Sequence, residues 1–395
     1  MKSLRALIGV SALLLLTSCA SYSLNPMEWF GDDEEVNPPT RLTSIEVEVN
    51  MSRQWSVNIG NGQGDKYNKI TPAIDGDRIF AASEDGEVVA LNLATGAVIW
   101  RTRLDSQITG GVGAGNNLVM VGTEAAEVIA IDQTNGEIIW QGAVSSEVLS
   151  APQTNGDIVV TQTVDGKLVA LNFADGVQRW TYETTLPALT LRGTSKPVLT
   201  GVGSVIAGFS NGTLVSVSAE DGVLRWEERV AVPEGRYDID RVIDVDGDLL
   251  LDGNRVLASS YQGNLMAFDV NSGRTVWGVE DASSYHGMER GFGNIYYCDD
   301  RSHITAVRDN SENIAWDNEK LAYRAITAPT AINNYLAVAD FEGYVHLLSQ
   351  IDGRIVGRTQ VDSDGVRSNL LANRGILYVF GNSGRLTALN LEVVN

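Results

Sequence analysis

The stretch Gly86-Glu87-Val88-Val89-Ala90-Leu91-Asn92-Leu93-Ala94-Thr95-Gly96-Ala97-Val98-Ile99-Trp100 decides the fold of this 395-residue chain, because the chain returns to it again and again. The pattern is Gly, an apolar run carrying Ala-Leu-Asp/Asn, a turn ending in Gly, three residues, then Trp. Related segments stand at 126–140, 166–180, 212–226, 263–277, 302–316 and 343–357, and an eighth at 384–392 breaks off before its turn and Trp. The closing residues Trp100, Trp140, Trp180, Trp226, Trp277 and Trp316 lie 39 to 51 positions apart. Strand-turn-strand content at a period in the forties predicts a β-propeller rather than a helical solenoid.

Within the segment, Val88, Ala90 and Asn92 point one way and Val89, Leu91 and Leu93 the other, the period of a strand covered on both faces. Thr95-Gly96 makes a tight turn. Val98 and Ile99 open the next antiparallel strand, and Trp100 closes it with a flat ring suited to lie against a neighbouring blade. The two strands inside each copy follow the pattern of Val148-Leu149-Ser150-Ala151-Pro152 and then Asp157-Ile158-Val159-Val160-Thr161. The unfinished eighth copy is matched by Arg53-Gln54-Trp55-Ser56-Val57, a Trp-bearing strand with no partner before it. Pairing them removes two open edges. The expectation is an all-β, eight-bladed β-propeller of four-stranded antiparallel blades over 46–395, closed by the N-terminal strand joining the last blade.

Met1-Lys2-Ser3-Leu4-Arg5 is basic, and Ala6 to Leu16 is apolar but too short to span a bilayer. Leu16-Thr17-Ser18-Cys19 resembles a bacterial lipobox. The resemblance implies a signal peptide at 1–18 and lipidation of Cys19. Ala20 after the cysteine, in place of Asp, implies the outer membrane, facing the periplasm, as in enteric lipoproteins. A multi-chain lipid anchor holds effectively permanently. Residues 19–45, with Asp32-Asp33-Glu34-Glu35 and Pro38-Pro39, are expected as a flexible tether. Cys298, the second of two cysteines, follows Ile295-Tyr296-Tyr297 and is expected as a buried small hydrophobe.

The formal net charge is −21, from 29 Lys and Arg against 50 Asp and Glu, and residues 1–18 carry only cations. With no basic stripe, such a chain repels phosphate backbones and anionic headgroups, which excludes nucleic acid and leaves the lipid as the membrane contact. Catalytic signals are weak. The Trp repeat is similar to the tryptophan-docking motif of quinoprotein alcohol dehydrogenases, eight-bladed propellers that hold pyrroloquinoline quinone and calcium. Those enzymes are longer and often carry an adjacent Cys-Cys pair, which is missing here. His286, His303 and His346 fall in separate repeats without metal-ligand spacing. The glycine-rich segments 60–64 and 110–115 lead into no helix and are expected as loops. In Asp244-Val245-Asp246-Gly247-Asp248 the Gly comes too early for a calcium loop, and Arg255 stands where its closing Glu belongs. No cofactor, metal or catalytic residue is expected.

The repeat is broken in one place. The spacings Trp180 to Trp226 and Trp226 to Trp277 are 46 and 51, against 40 for the two before. Both additions follow the Trp, so they belong to consecutive connections that emerge side by side on one face. The first holds Leu186-Pro187-Ala188-Leu189-Thr190-Leu191-Arg192-Gly193, the second Ile239-Asp240-Arg241-Val242-Ile243-Asp244-Val245-Asp246. Apolar Leu189 and Leu191 beside Arg192, near acidic neighbours, have the make-up of a protein-docking patch. The alternative is that the loops merely pack on one another, with Arg192 paired to Asp244 or Asp246.

Lipobox, acidic tether, eight blades, the two inserted segments and Phe341-Glu342-Gly343-Tyr344-Val345-His346 together resemble the BamB family, the propeller lipoproteins of the outer-membrane β-barrel assembly machinery. The likeness implies a non-enzymatic scaffold, monomeric within a complex. It implies binding to the periplasmic POTRA domains of BamA through positions matching Leu189, Leu191, Arg192, Asp244 and Asp246. The other lipoproteins of the machinery are expected as indirect partners, and nascent outer-membrane strands as further candidates at an open blade edge. A quinoprotein dehydrogenase and a sugar- or peptide-binding propeller lipoprotein are the alternatives. One departure is Gly357, where the seventh copy should have Trp, which is expected to loosen that blade contact.

Overall fold

The alternating run at 88–93 becomes the third strand of a blade. Glu87–Asn92 pairs with Arg78–Ala82 on one side and Val98–Arg103 on the other, and the short strand Ala73–Asp75 completes the sheet. A computed structural model describes residues 37–394, and among them this arrangement recurs as eight separate four-stranded antiparallel sheets. Blade one spans 73–103, and blades two to seven span 113–143, 153–183, 198–229, 250–279, 288–318 and 330–360. Blade eight takes three strands from 371–393, and its outer strand is Val49–Asn58, running antiparallel to Arg385–Val393 from Val49↔Val393 to Asn58↔Arg385. The propeller and its closure stand as expected. Cys19 and residues 1–36 lie outside the described residues. No helix among the described residues is long and apolar enough to cross a membrane.

The cores sit between blades rather than within them. Phe80, Ala90 and Trp100 of blade one, for example, pack on Val119, Val121, Ile129 and Ile131 of blade two. Each pair of facing blades therefore buries what neither buries alone, the logic of repeat proteins. Tryptophan adds direction. The indole N–H of Trp55, Trp100, Trp140, Trp180, Trp226 and Trp316 donates to the carbonyl of Leu93, Gln133, Phe173, Ala219, Val270 and Gln350, each in the next blade, at 2.9–3.2 Å. The ring is thereby both packed and satisfied. Trp277 departs from the rule, being half-buried with no acceptor for its N–H.

Several local details differ from the sequence reading. First, the inner strand of blade three is Gln153–Thr154, not 148–152, and Val148 makes only a single bridge to Thr163. Pro152 has no N–H to give a ladder, so pairing begins after it. Of the glycine-rich segment 110–115, the last three residues form the inner strand of blade two. Second, the register slips before the Trp, from Ala90↔Trp100 to Leu91↔Val98. This bulge leaves Ile99 unpaired, so Val98 and Ile99 both face solvent while Trp100 turns inward.

Third, Gly357 does not loosen blade seven. A Cβ there would stand 2.6 Å from the Val49 carbonyl, so the glycine admits the backbone of the closing strand. Val49, only 1% exposed, fills the seam against Leu347 and Val356 where the Trp would have been. Residues 40–45, expected as the end of the tether, also lie on the propeller, with Leu42 and Ile45 packed on the core between blades six and seven.

Candidate functional site

The two long connections are residues 184–197, between blades three and four, and 230–249, between blades four and five. In the second, a 3₁₀ turn at Asp238–Arg241 is followed by Val242, Ile243, Asp244 and Val245, none more than 2% exposed. The apolar neighbours draw Asp244 inside with them. Its Oδ2 accepts the Leu191 N–H at 2.7 Å, while Oδ1 has no donor. Asp244 therefore splices the two loops together. It is not the surface acceptor that its sequence suggests.

Asp246 is half-buried and packs on Gly193, where a Cβ would collide with its carboxylate. Leu189 is 42% exposed and Leu191 is half-buried. Arg192 is exposed and pairs with neither aspartate. Its guanidinium reaches Glu147 at 2.6 Å, in the connection before blade three, and Asn68 at 3.0 Å, before blade one. So the loops do pack on one another, through Asp244, Asp246 and the backbone, leaving Leu189 exposed and Arg192 reaching across the mouth of the central cavity to Glu147 and Asn68. Glu147 and Asn68 carried no sequence signal, because they come from other repeats and meet Arg192 only once the ring closes.

Burial pushes the Asp244 carboxyl up to about 7, against the hydrogen bond from Leu191. Asp246 is also raised well above the ordinary range, by burial and by Asp244, with Lys69 opposing. A carboxyl raised in the folded state holds a proton that the unfolded chain has already released. Its contribution to stability therefore falls as pH rises from about 4, the unfolded value, towards 7. Asp244→Asn keeps an acceptor for Leu191 and removes the buried charge. At pH 8 the variant is expected to be more stable than the parent by on the order of 1–3 kcal/mol, with the difference vanishing near pH 4. Chemical denaturation at the two pH values measures it, and equal stability at both would show that the Asp244 carboxyl is not raised by its burial.

The loops form one wall of a cavity of about 580 Å³ at the centre of the ring. Lys69, Arg192 and Lys196 line it together with Asp246, Asp248 and Glu289, so neither sign of charge prevails. Lys69 lies over the Tyr285 ring, 5.2 Å from its centroid. His286 is 7% exposed, and burial with the Lys69 charge holds its imidazole well below the ordinary value. Among the described residues no group of three or more His, Cys, Asp or Glu is arranged to hold a metal ion. Cys298 is buried, as expected, and burial raises its thiol, which keeps it unreactive.

Comparison with known proteins follows the same line. A family sequence model described as "Outer membrane protein assembly factor BamB" matches residues 50–110 and 84–318. The BamB of Pseudomonas aeruginosa is 52% identical over 355 residues, covering 90% of this chain and 93% of that protein. The chain belongs to the BamB family. The BamB of Marinobacter adhaerens is 42% identical, covering 98% of this chain and 96% of its own. The crystal structure of BamB from Moraxella catarrhalis superposes with a TM-score of 0.79 at 27% identity, over 86% of this chain and 99% of that one. A europium-containing methanol dehydrogenase reaches a TM-score of 0.69 at 10% identity, over 86% of this chain and 93% of that one, a likeness of fold alone.

Proposed function

We propose that this chain is a non-catalytic scaffold of outer-membrane β-barrel assembly, held at the periplasmic face of the outer membrane by lipid on Cys19. It binds the POTRA domains of BamA through the two spliced loops. The observation that carries this reading is the hydrogen bond from Leu191 to buried Asp244, which fixes one loop against the other and leaves Leu189 exposed and Arg192 at the cavity mouth. In this arrangement Leu189 and Leu191 give apolar contact, Arg192 a forked cation and Asp246 an acceptor at the cavity rim, while Asp244 acts through the backbone of Leu191. Orientation of the POTRA domains by this face is the mechanism that such a rigid surface supports.

The Arg192 pair with Glu147 is exposed and is worth about 0–1 kcal/mol to the fold. The same guanidinium buried against a partner loses on the order of 2–5 kcal/mol when truncated. Arg192→Ala and Leu189→Ala are therefore expected to weaken binding to purified POTRA domains at least about tenfold with melting unchanged. Titration by calorimetry checks it. Undiminished affinity in both variants would move the docking face elsewhere.

A further inference from the structure

We propose that residues 40–48 are a strap clamped across the seam of blades six and seven, and that His346 is its acid-sensitive catch. The strap is held along its length. Thr40 N–H donates to the Ala322 carbonyl at 2.9 Å, and Glu48 N–H to Val356 at 2.8 Å. Arg324 Nη1 donates to the Thr40 carbonyl at 3.0 Å, and Arg358 Nη1 to the Thr43 carbonyl at 2.8 Å. Both guanidinium groups grip backbone rather than side chain, so the seat recognises the path of the chain. Leu42 and Ile45 add apolar contact with the core beneath.

The two arginines are joined under the strap. Arg324 is 3% exposed, and its charge is met by Asp340, where Nε donates to Oδ2 at 2.7 Å, and by Glu342. Asp340 is fully buried, and its Oδ2 also lies 2.9 Å from His346 Nε2. A carboxylate only accepts, so Nε2 carries the imidazole proton and Nδ1 keeps its lone pair. That lone pair accepts from Arg358 Nε at 3.1 Å. The circuit runs from strap to Arg358, His346, Asp340 and Arg324, and back to the strap. Its fit depends on Nδ1 being bare.

Protonation of Nδ1 turns the acceptor into a donor aimed at a guanidinium. The groups facing His346 are Asp340, Arg358 and Arg324, with the Tyr344 ring 6.3 Å away between centroids. Burial lowers the imidazole below its ordinary value, the two arginines add to this, and Asp340 opposes it. The seated state thus takes up its proton at lower pH than a free histidine. Its stability is full at neutral pH and is lost as pH falls below the ordinary histidine range. The strap lies two to three blades round from the loops of the docking proposal. The inference does not depend on that proposal.

Hydrogen–deuterium exchange on the full chain tests it, with rates corrected for the intrinsic effect of pH. At pH 7.5 the Thr40 and Glu48 amides, which donate to the Ala322 and Val356 carbonyls, are expected to be protected, and Arg358→Ala to speed their exchange about tenfold while the 204–218 strands of blade four stay unchanged. At pH 5 the parent strap is expected to exchange faster. His346→Gln, which keeps a donor and an acceptor but does not titrate, is expected to hold its protection at both pH values. The ¹⁵N shift of His346 in the parent reads the state of Nδ1 without any substitution. A strap unprotected at pH 7.5, an Nδ1 that bears a proton there, or an acid response retained in His346→Gln each overturns the proposal.

Discussion

A chain lacking residues 49–58 is expected to lose its single cooperative melt and to self-associate at micromolar concentration. The deletion removes the strand that pairs with the last blade from Val49↔Val393 to Asn58↔Arg385. It also takes away Trp55, whose ring is 9% exposed and whose N–H binds Leu93 of blade one, and Val49, which fills the seam beside Gly357. Two blade contacts open together, and the Arg385–Val393 edge is left with unpaired backbone groups ready to take a strand from another molecule. Each backbone hydrogen bond contributes about 0.5–1.5 kcal/mol net, so the ladder alone amounts to several kcal/mol before the apolar burial is counted. Scanning calorimetry and light scattering measure the result. A monomer that melts where the parent does would place the closure of the ring elsewhere.

Trp140→Ala is expected to cost about 3–5 kcal/mol. The ring is 7% exposed, lies on Gly176 of the next blade and sits in a cluster with Leu118, Met120, Val159 and Leu171. Truncation leaves a cavity between two blades and strips the Phe173 carbonyl of its donor, which stood at 2.9 Å. Trp277→Ala provides an internal comparison. That side chain is only half-buried and its N–H has no acceptor, so its loss is expected to be clearly smaller. Equal losses at the two positions in urea titrations would show that the indole hydrogen bond and the depth of burial contribute nothing measurable.

The architecture was legible because a propeller repeats its chemistry. Gly, alternating apolar residues, a turn and Trp recur in most blades, and local periodicity is what a sequence displays most directly. The alternation rule failed at Val98 and Ile99, where a bulge inserts a residue just before the Trp. At 242–245 four consecutive residues are buried, because a connection, unlike a strand, has no obligatory two-sided face, and that burial takes Asp244 from the surface expected of it to the interior.

At the candidate site, both inserted segments were legible as interruptions of a period, and their adjacency followed from topology. Their polar partners were not. Arg192 meets Asn68 and Glu147 across 124 and 45 positions, and no pattern along the chain announces such a meeting. The same holds for the cluster of Arg324, Asp340, His346 and Arg358. Two of its members belong to strands and two to connections, and only their shared burial makes them one system.

Closure by the first strand also dictates an order of events. Ser52 and Glu392 touch although 340 residues separate them. At roughly 5–20 residues per second, synthesis leaves the Val49–Asn58 segment without its partner for some tens of seconds. Joining ends so far apart through an unstructured chain carries an entropy penalty of about 5 kcal/mol from length alone. The penalty shrinks once seven blades have stacked into an arc that brings the gap within reach. Closure is therefore expected as the last step of folding, with one bare strand and one bare edge until it happens. For a chain of an outer-membrane protein assembly factor family, its own nascent state thus presents an unpaired β-edge awaiting a partner.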